Sequence, residues 1–338
     1  MSNALPRLVV RADGNARIGL GHVVRSMAVA DIVRDEFAEV LVAVAEPLPA
    51  LGALVTAAGF TLCPLPTASA AALLAQLRPT DVVMLDGLAF DTDYQRAVRA
   101  VGCRVVVVDD LHAYRMEADL IINHGPEATP ALYKARPGTR YCLGPGFTMV
   151  RREFREAAQR PWPVPQANSV LVCFGGADPQ QFTHATLQAL LRIDSVRAVG
   201  VVTGAAYQHG PALHALAAAQ PDKQVQFYQQ LSAADMVRLL TDYAVVVCPA
   251  STVLLETLVL GQAAITGYYV PDQQVLAGFV HRHQQAFSVG DFRQLRQTDF
   301  EPLLRQGLRF HETTLRQPYV PQLTPEVLQA EFRRLRPA

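Results

Sequence analysis

Short, unbroken apolar runs punctuate the chain. Residues 8–10, 40–44, 82–85, 105–108 and 120–122 carry them in the first half, and 170–174, 199–202, 245–248 and 263–266 in the second. They do not alternate with polar positions, which is the pattern of strands buried on both faces. Between many of them lie Ala/Leu-rich stretches with helical spacing, such as 69–77, 183–191, 212–219 and 232–240. Strand–helix alternation of this kind predicts parallel α/β sheets with right-handed crossovers. The rhythm breaks at 158–168, AQRPWPVPQAN, which holds three prolines and the only Trp. The expected organisation is therefore two Rossmann-like domains facing a cleft. The first covers 1–157, a hinge covers 158–168, the second covers 169–310, and a tail at 311–338 carries a helix with Pro325 near its start.

Composition narrows the functional classes. With 338 residues, half of them hydrophobic, the chain can build large cores. Thirty basic residues balance thirty acidic ones. That argues against a nucleic-acid or anionic-membrane surface, although a local set of donors around one small anion is compatible with it. No apolar run approaches the roughly 18 residues of a membrane span, and the N-terminus lacks signal-peptide features. The five cysteines are scattered with no CxxC spacing. A zinc site or redox dithiol is not expected, and a reducing, cytoplasmic location is. No metal and no cofactor are expected.

Three strand ends carry candidate chemistry. The first apolar run leads into Arg11-Ala12-Asp13-Gly14-Asn15 and then Ile18-Gly19-Leu20-Gly21-His22-Val23-Val24-Arg25. Glycines let a backbone approach a ligand, and free N–H groups at a helix start attract anions. His22 at the mouth of that loop can exchange a proton near neutral pH, and Arg25, about one turn on, shares its face. The bland alternative is a capping His with Arg25 paired to Asp13. The run at 170–174 leads into Gly175-Gly176-Ala177-Asp178-Pro179, where the glycines can bare the backbone to a diphosphate. Asp178 reads there as an N-cap with Pro179 at the first helical position. The run at 245–248 leads into Pro249-Ala250-Ser251-Thr252, with Glu256 one turn further. Ser251 and Thr252 can donate to phosphate and Glu256 can accept from ribose hydroxyls. The alternative is Ser251 as a helix cap with Glu256 answering the dipole. Asp109, Asp110 and His112 suggest a metal constellation, but turn capping is the favoured reading.

In their order, the segments IGLGHVVRSMAVA, VVVVDDLH, ADLIIN, LGPGFTMVRREF, VCFGGADP, PASTVLLETLVLGQ and PDQQVLAGF resemble the UDP-2,4-diacetamido-2,4,6-trideoxy-β-L-altropyranose hydrolases of pseudaminic acid biosynthesis. The resemblance runs to about residue 290. It implies the two-domain glycosyltransferase B fold, with His22 as the catalytic base and Gly19 and Gly21 in the loop beside it. It places Gly175 and Gly176 next to the diphosphate, Ser251, Thr252 and Glu256 on phosphate and ribose, and Gln273 lining the cleft. Asn123 and Asp110 match recurrent first-domain positions. The chain departs from the family on the sugar side. Where the family has Asp-His-Tyr-Gly it reads Asp86-Gly87-Leu88-Ala89, and the Asn of an Asn-Gln pair is Asp272. Asp86, Leu88, Asn123 and Asp272 are therefore the expected sugar-pocket positions, and Arg25 joins the expected substrate contacts. The function implied is inverting hydrolysis of a UDP-sugar, with UDP as product. A glycosyltransferase on the same scaffold is the alternative, and a non-catalytic UDP-sugar sensor is a third reading.

Overall fold

The computed structural model describes residues 5–14, 20–204, 206–295, 300–313 and 323–336. The elements in order are β1 (Arg7–Ala12), α1 (Gly21–Val33), β2 (Glu39–Ala45), α2 (Pro49–Ala57), β3 (Thr61–Leu65), α3 (Ala70–Leu74), β4 (Val82–Asp86), α4 (Thr92–Ala100), β5 (Arg104–Val108), β6 (Leu120–Asn123) and β7 (Arg140–Leu143). They continue with α5 (Arg152–Ala157), β8 (Gln166–Cys173), α6 (Phe182–Leu191), β9 (Ala198–Thr203), α7 (Gly210–Ala218), β10 (Gln224–Gln229), α8 (Ala233–Asp242), β11 (Tyr243–Pro249), α9 (Thr252–Val259), β12 (Ala263–Tyr268), α10 (Pro271–Arg282), β13 (Phe287–Asp291), α11 (Phe292–Leu295), α12 (Glu301–Thr313) and α13 (Pro325–Arg334).

The chain divides into two compact units. One is Met1–Arg152 together with Pro321–Ala338, and the other is Glu153–Val320. The division precedes the Pro-rich stretch, where the Trp162 indole N–H donates to the Ala157 carbonyl at 3.1 Å and ties that stretch to α5. Position 310 falls inside α12, whose Leu304 and Gly307 are buried in the second unit. The last helix, α13, returns to the first unit.

Unit 1 is a parallel sheet in the order β3-β2-β1-β4-β5-β6-β7. Leu8, Val10 and Ala12 of β1 pack on one face with Val23, Met27 and Val29 of α1, and Leu328 and Phe332 of α13 join that core. Val9, Val83 and Leu85 point the other way, toward Tyr94 and Val98 of α4. Burial on both faces is what unbroken apolar runs require. The tail is held by more than apolar contact. Phe332 meets Phe37 edge-on at 6.1 Å, Arg333 donates to the buried Glu36 carboxylate at 2.7 Å, and Gln329 donates to the Ile32 carbonyl at 2.9 Å.

Unit 2 is a parallel sheet in the order β10-β9-β8-β11-β12-β13. In both units the strand order reverses beside the first strand, between β1 and β4 and again between β8 and β11. Open sheets of this type leave a crevice at that reversal, outside the carboxyl ends of the strands. The candidate loops after β1, β8 and β11 all leave from those places.

Candidate active site

In unit 1, Ala12 at the end of β1 pairs with Asp86 at the end of β4, and the Asp13 N–H donates to the Asp86 carbonyl at 3.1 Å. The helix α1 starts just beyond, at Gly21, with no side-chain cap from Leu20. Gly19 lies outside the described residues. His22, in the first turn, has its Nδ1 2.8 Å from Asp86 Oδ1. An ionised carboxylate only accepts, so Nδ1 carries a hydrogen, which in the neutral ring makes Nε2 the acceptor nitrogen. Asp86 is fully buried. It also accepts from Arg25 Nε at 2.8 Å, Arg25 Nη2 at 2.6 Å and Ser26 Oγ at 2.6 Å. Arg25 Nη1 donates to Asp110 at 2.7 Å.

Electrostatics keep Asp86, Arg25 and Asp110 ionised. Burial favours the neutral Asp86, but the Arg25 charge and the hydrogen bonds from Arg25 and His22 outweigh it and hold the carboxyl far below its usual range. Burial likewise opposes the Arg25 charge, and Asp110 and Asp86 more than offset it. Asp110 is held low by Arg25 against the same burial penalty. Nearby, burial pushes His124 down to about 4 against the pull of Asp110, and its Nδ1 is shielded with no hydrogen-bond partner. A pocket of about 130 Å³ opens on this cluster, lined by His22, Arg25, Leu88, Asp110, Leu111 and Tyr114 among others.

Several expectations change in detail. Arg25 stands beside His22, with Nη2 3.1 Å from Nδ1, but its guanidinium is committed to two carboxylates, neither of them Asp13. Asp13 pairs with Arg11 instead. Asp86, an expected sugar-pocket position, is buried and hydrogen-bonded to the His22 ring. Leu88 lines the pocket and is 60 % exposed. Asn123 is buried, donating to Tyr133 Oη at 2.9 Å and accepting from the Gly125 N–H at 2.6 Å, so its amide braces a loop. The Asp109 carboxylate accepts from the His112 N–H at 2.9 Å and caps a turn. Among the described residues no group of three or more His, Cys, Asp and Glu is placed to hold a metal ion.

In unit 2, Gly175 has φ +88°, a left-handed conformation that favours glycine. Asp178 caps α6 from further back than the spacing suggests. Its carboxylate accepts from the N–H groups of Phe182 at 3.0 Å and Thr183 at 2.7 Å. Pro179 therefore precedes the helix instead of opening it, because Asp178 and Gln181 both take positive φ and delay the first helical residue. Those bonds engage two first-turn donors of α6. By contrast, Ser251 stands at the N-cap of α9 without a side-chain cap bond, just before Thr252. Glu256 is buried in α9. Gln273 is buried at the start of α10, where its Oε1 accepts from the Tyr269 N–H at 3.1 Å, and Asp272 beside it is exposed. A side chain at Gly204 would collide with the Gly176 backbone, so the loops after β8 and β9 depend on that close approach. Gly204→Ala is expected to cost about 1–3 kcal/mol through overpacking, read by denaturant unfolding.

No protein-family profile matches the chain. It is 23 % identical over 274 residues to an uncharacterized protein of Methanocaldococcus jannaschii, covering 78 % of this chain and 55 % of that protein. The chain thus spans about half the length of the curated relative it matches. Among solved structures, HepE from Anabaena in complex with UDP-glucose aligns with a TM-score of 0.60 at 14 % identity, covering 96 % of this chain and 95 % of that one. MurG from Acinetobacter baumannii aligns at 0.55 and 15 % identity, covering 96 % and 99 %. A UDP-glucosyltransferase from Polygonum tinctorium aligns at 0.61 and 12 % identity, covering 99 % and 94 %. The fold is that of the glycosyltransferase B class. Identities this low establish the architecture, with its two parallel-sheet units, and leave the chemistry to the residues. No helix among the described residues is long and apolar enough to cross a membrane.

Proposed function

We propose that the chain hydrolyses a UDP-linked sugar, with His22 as the base that activates water. The observation that carries the reading is the His22–Asp86 pair, fixed by Arg25 and Ser26 at the strand reversal of unit 1. With Nδ1 committed to Asp86, Nε2 takes a proton from water as its oxygen attacks the anomeric carbon. The bond to the β-phosphate oxygen breaks, and UDP leaves with the electron pair and with inversion. Unit 2 supplies the nucleotide site. The Gly175 and Gly176 N–H groups, Ser251, Thr252 and the N-terminus of α9 take the diphosphate, where oriented donors stabilise the charge that develops on the leaving group. Glu256 takes the ribose hydroxyls, and Gln273 and Asp272 lie on the sugar side. The motif resemblance makes a 2,4-diacetamido-2,4,6-trideoxy sugar the first substrate to try, and HepE, solved with UDP-glucose, supports the choice of nucleotide.

A transferase reading uses the same imidazole on an acceptor hydroxyl, and a UDP-glucosyltransferase and the calicheamicin glycosyltransferase CalG4 are among the structural neighbours. Incubation with a panel of UDP-sugars, with and without acceptor alcohols, separates the two by NMR of the products. Hydrolysis predicts UDP and free sugar with no acceptor present. UDP release that requires an acceptor makes the chain a transferase. Tight UDP binding with no turnover of any sugar makes it a sensor.

A further inference from the structure

The edges of the two sheets are guarded unequally. A strand with one side unpaired is a template for another chain unless charge, proline or a covering element blunts it. Pro64 interrupts β3, Arg140 at the start of β7 is ion-paired with Glu331 of α13, and β13 ends at Asp291, which is ion-paired with Arg293. By contrast, β10 reads QVQFYQ, with neither charge nor proline, and is partly exposed throughout. Lys223 beside it gives no protection. Its ammonium is turned away and donates to the Ile193 and Val196 carbonyls at 2.7 and 2.6 Å.

The register of β10 identifies the backbone groups left over. The Gln224 N–H donates to the Arg197 carbonyl at 2.9 Å, and Gln224 pairs with Ala198 of β9. Backbone groups of successive strand residues point to opposite sides, so Gln224, Gln226 and Tyr228 bond toward β9. Val225, Phe227 and Gln229 hold their N–H and C=O groups toward the side where, among the described residues, no strand lies. Both faces of the strand are braced. The Tyr228 hydroxyl donates to Gln226 and lies 3.1 Å from the Tyr243 hydroxyl on one face, and the Phe227 ring stands 4.2 Å from the His214 ring on the other.

We propose that β10 is the surface through which two copies of this chain associate, each strand pairing antiparallel with its counterpart about a two-fold axis. The inference is independent of the chemistry proposed for His22. An axis normal to the sheet keeps each face on its own side, so residues of the same face must stand opposite each other. Setting Phe227 against Phe227 of the second copy does this and brings the outward groups together, with Val225 opposite Gln229 and Gln226 opposite Tyr228. No two charges are opposed along the strand, and an aromatic pair sits at its centre. A strand of another protein would have to supply the same alternation, whereas a second copy has it by symmetry. A single six-residue ladder is small for a permanent interface, so the association should be reversible.

Sedimentation velocity on the full chain, from about 1 μM to about 1 mM, tests it. A monomer–dimer equilibrium is expected. Residue-resolved amide exchange locates the contact. The Val225, Phe227 and Gln229 amides should be protected only at concentrations where the dimer forms, whereas those of Gln226 and Tyr228, bonded to β9, should be protected throughout. Gln229→Pro removes an outward donor and no bond to β9, and Gln226→Lys sets a charge on the edge. Each should weaken association about tenfold or more. Exchange in the wild type decides the matter even where Gln229→Pro does not fold. A chain that stays monomeric throughout overturns the proposal. So does a dimer in which the three outward amides exchange as in the monomer, or one whose strength both variants leave unchanged.

Discussion

His22→Ala will lower kcat by about 10²–10⁴-fold, the usual contribution of a positioned general base, with little change in UDP affinity. The separation follows from the parts of the chain involved. His22 belongs to the strand reversal of unit 1, whereas the glycine loop, Ser251 and Thr252 belong to unit 2. Removing the imidazole leaves Asp86 with both Arg25 bonds and the Ser26 bond, so the fold keeps its buried ion pair. Single-turnover release of UDP from a UDP-sugar, alongside calorimetric titration with UDP, checks both halves. Wild-type turnover in the variant would remove His22 from the mechanism.

Asp86→Asn should be damaging in two ways. The amide keeps the shape but not the charge, leaving Arg25 buried with Asp110 as its remaining carboxylate partner and a carboxamide offering N–H where His22 or Arg25 also donates. Breaking a buried pair from one side typically costs about 3–5 kcal/mol, to be read as a lower denaturant midpoint. Turnover should fall too, because a neutral amide oxygen, with Arg25 competing for it, holds the His22 Nδ1–H tautomer less firmly than the carboxylate does. The sign of the pH effect separates the charge from the packing. The Asp86 carboxyl titrates far lower in the folded protein than unfolded, so its contribution is complete above the unfolded value near 4. It is lost as pH falls below that, toward the folded value. The stability gap between wild type and Asp86→Asn should therefore be full at neutral pH and narrow below about pH 4. A gap independent of pH would mean that Asp86 acts by shape alone.

The central strands of both sheets were legible because burial on both faces writes an unbroken apolar run. The strands that such runs miss are β3, β7, β10 and β13, which are the edges of the two sheets. An edge is paired on one side only. Accordingly β10 reads QVQFYQ and is partly exposed along its length, and β3 tolerates Pro64. His22, Gly175 and Ser251 each follow a buried strand, as the apolar runs led one to expect. The partner of His22 was not legible. Asp86 is 64 residues away in sequence, and only the lateral order that sets β4 beside β1 brings it under the imidazole. An Asp closing the apolar run at 82–85 was the available hint, but it takes strand order to turn such a residue into a partner. The uncapped start of α9 was equally hidden, because Ser251 is a good cap by type and declines the role by geometry.

The return of α13 to unit 1 has a consequence for synthesis. Leu328 and Phe332 belong to the core that β1 and α1 begin, yet about 180 residues separate Arg152 from them. At 5–20 residues per second a ribosome needs roughly ten to forty seconds to cover that distance. During that interval the whole of unit 2 emerges, while the first sheet waits with one patch of its apolar face unsealed. The half of the protein that starts first is thus the half whose core closes last.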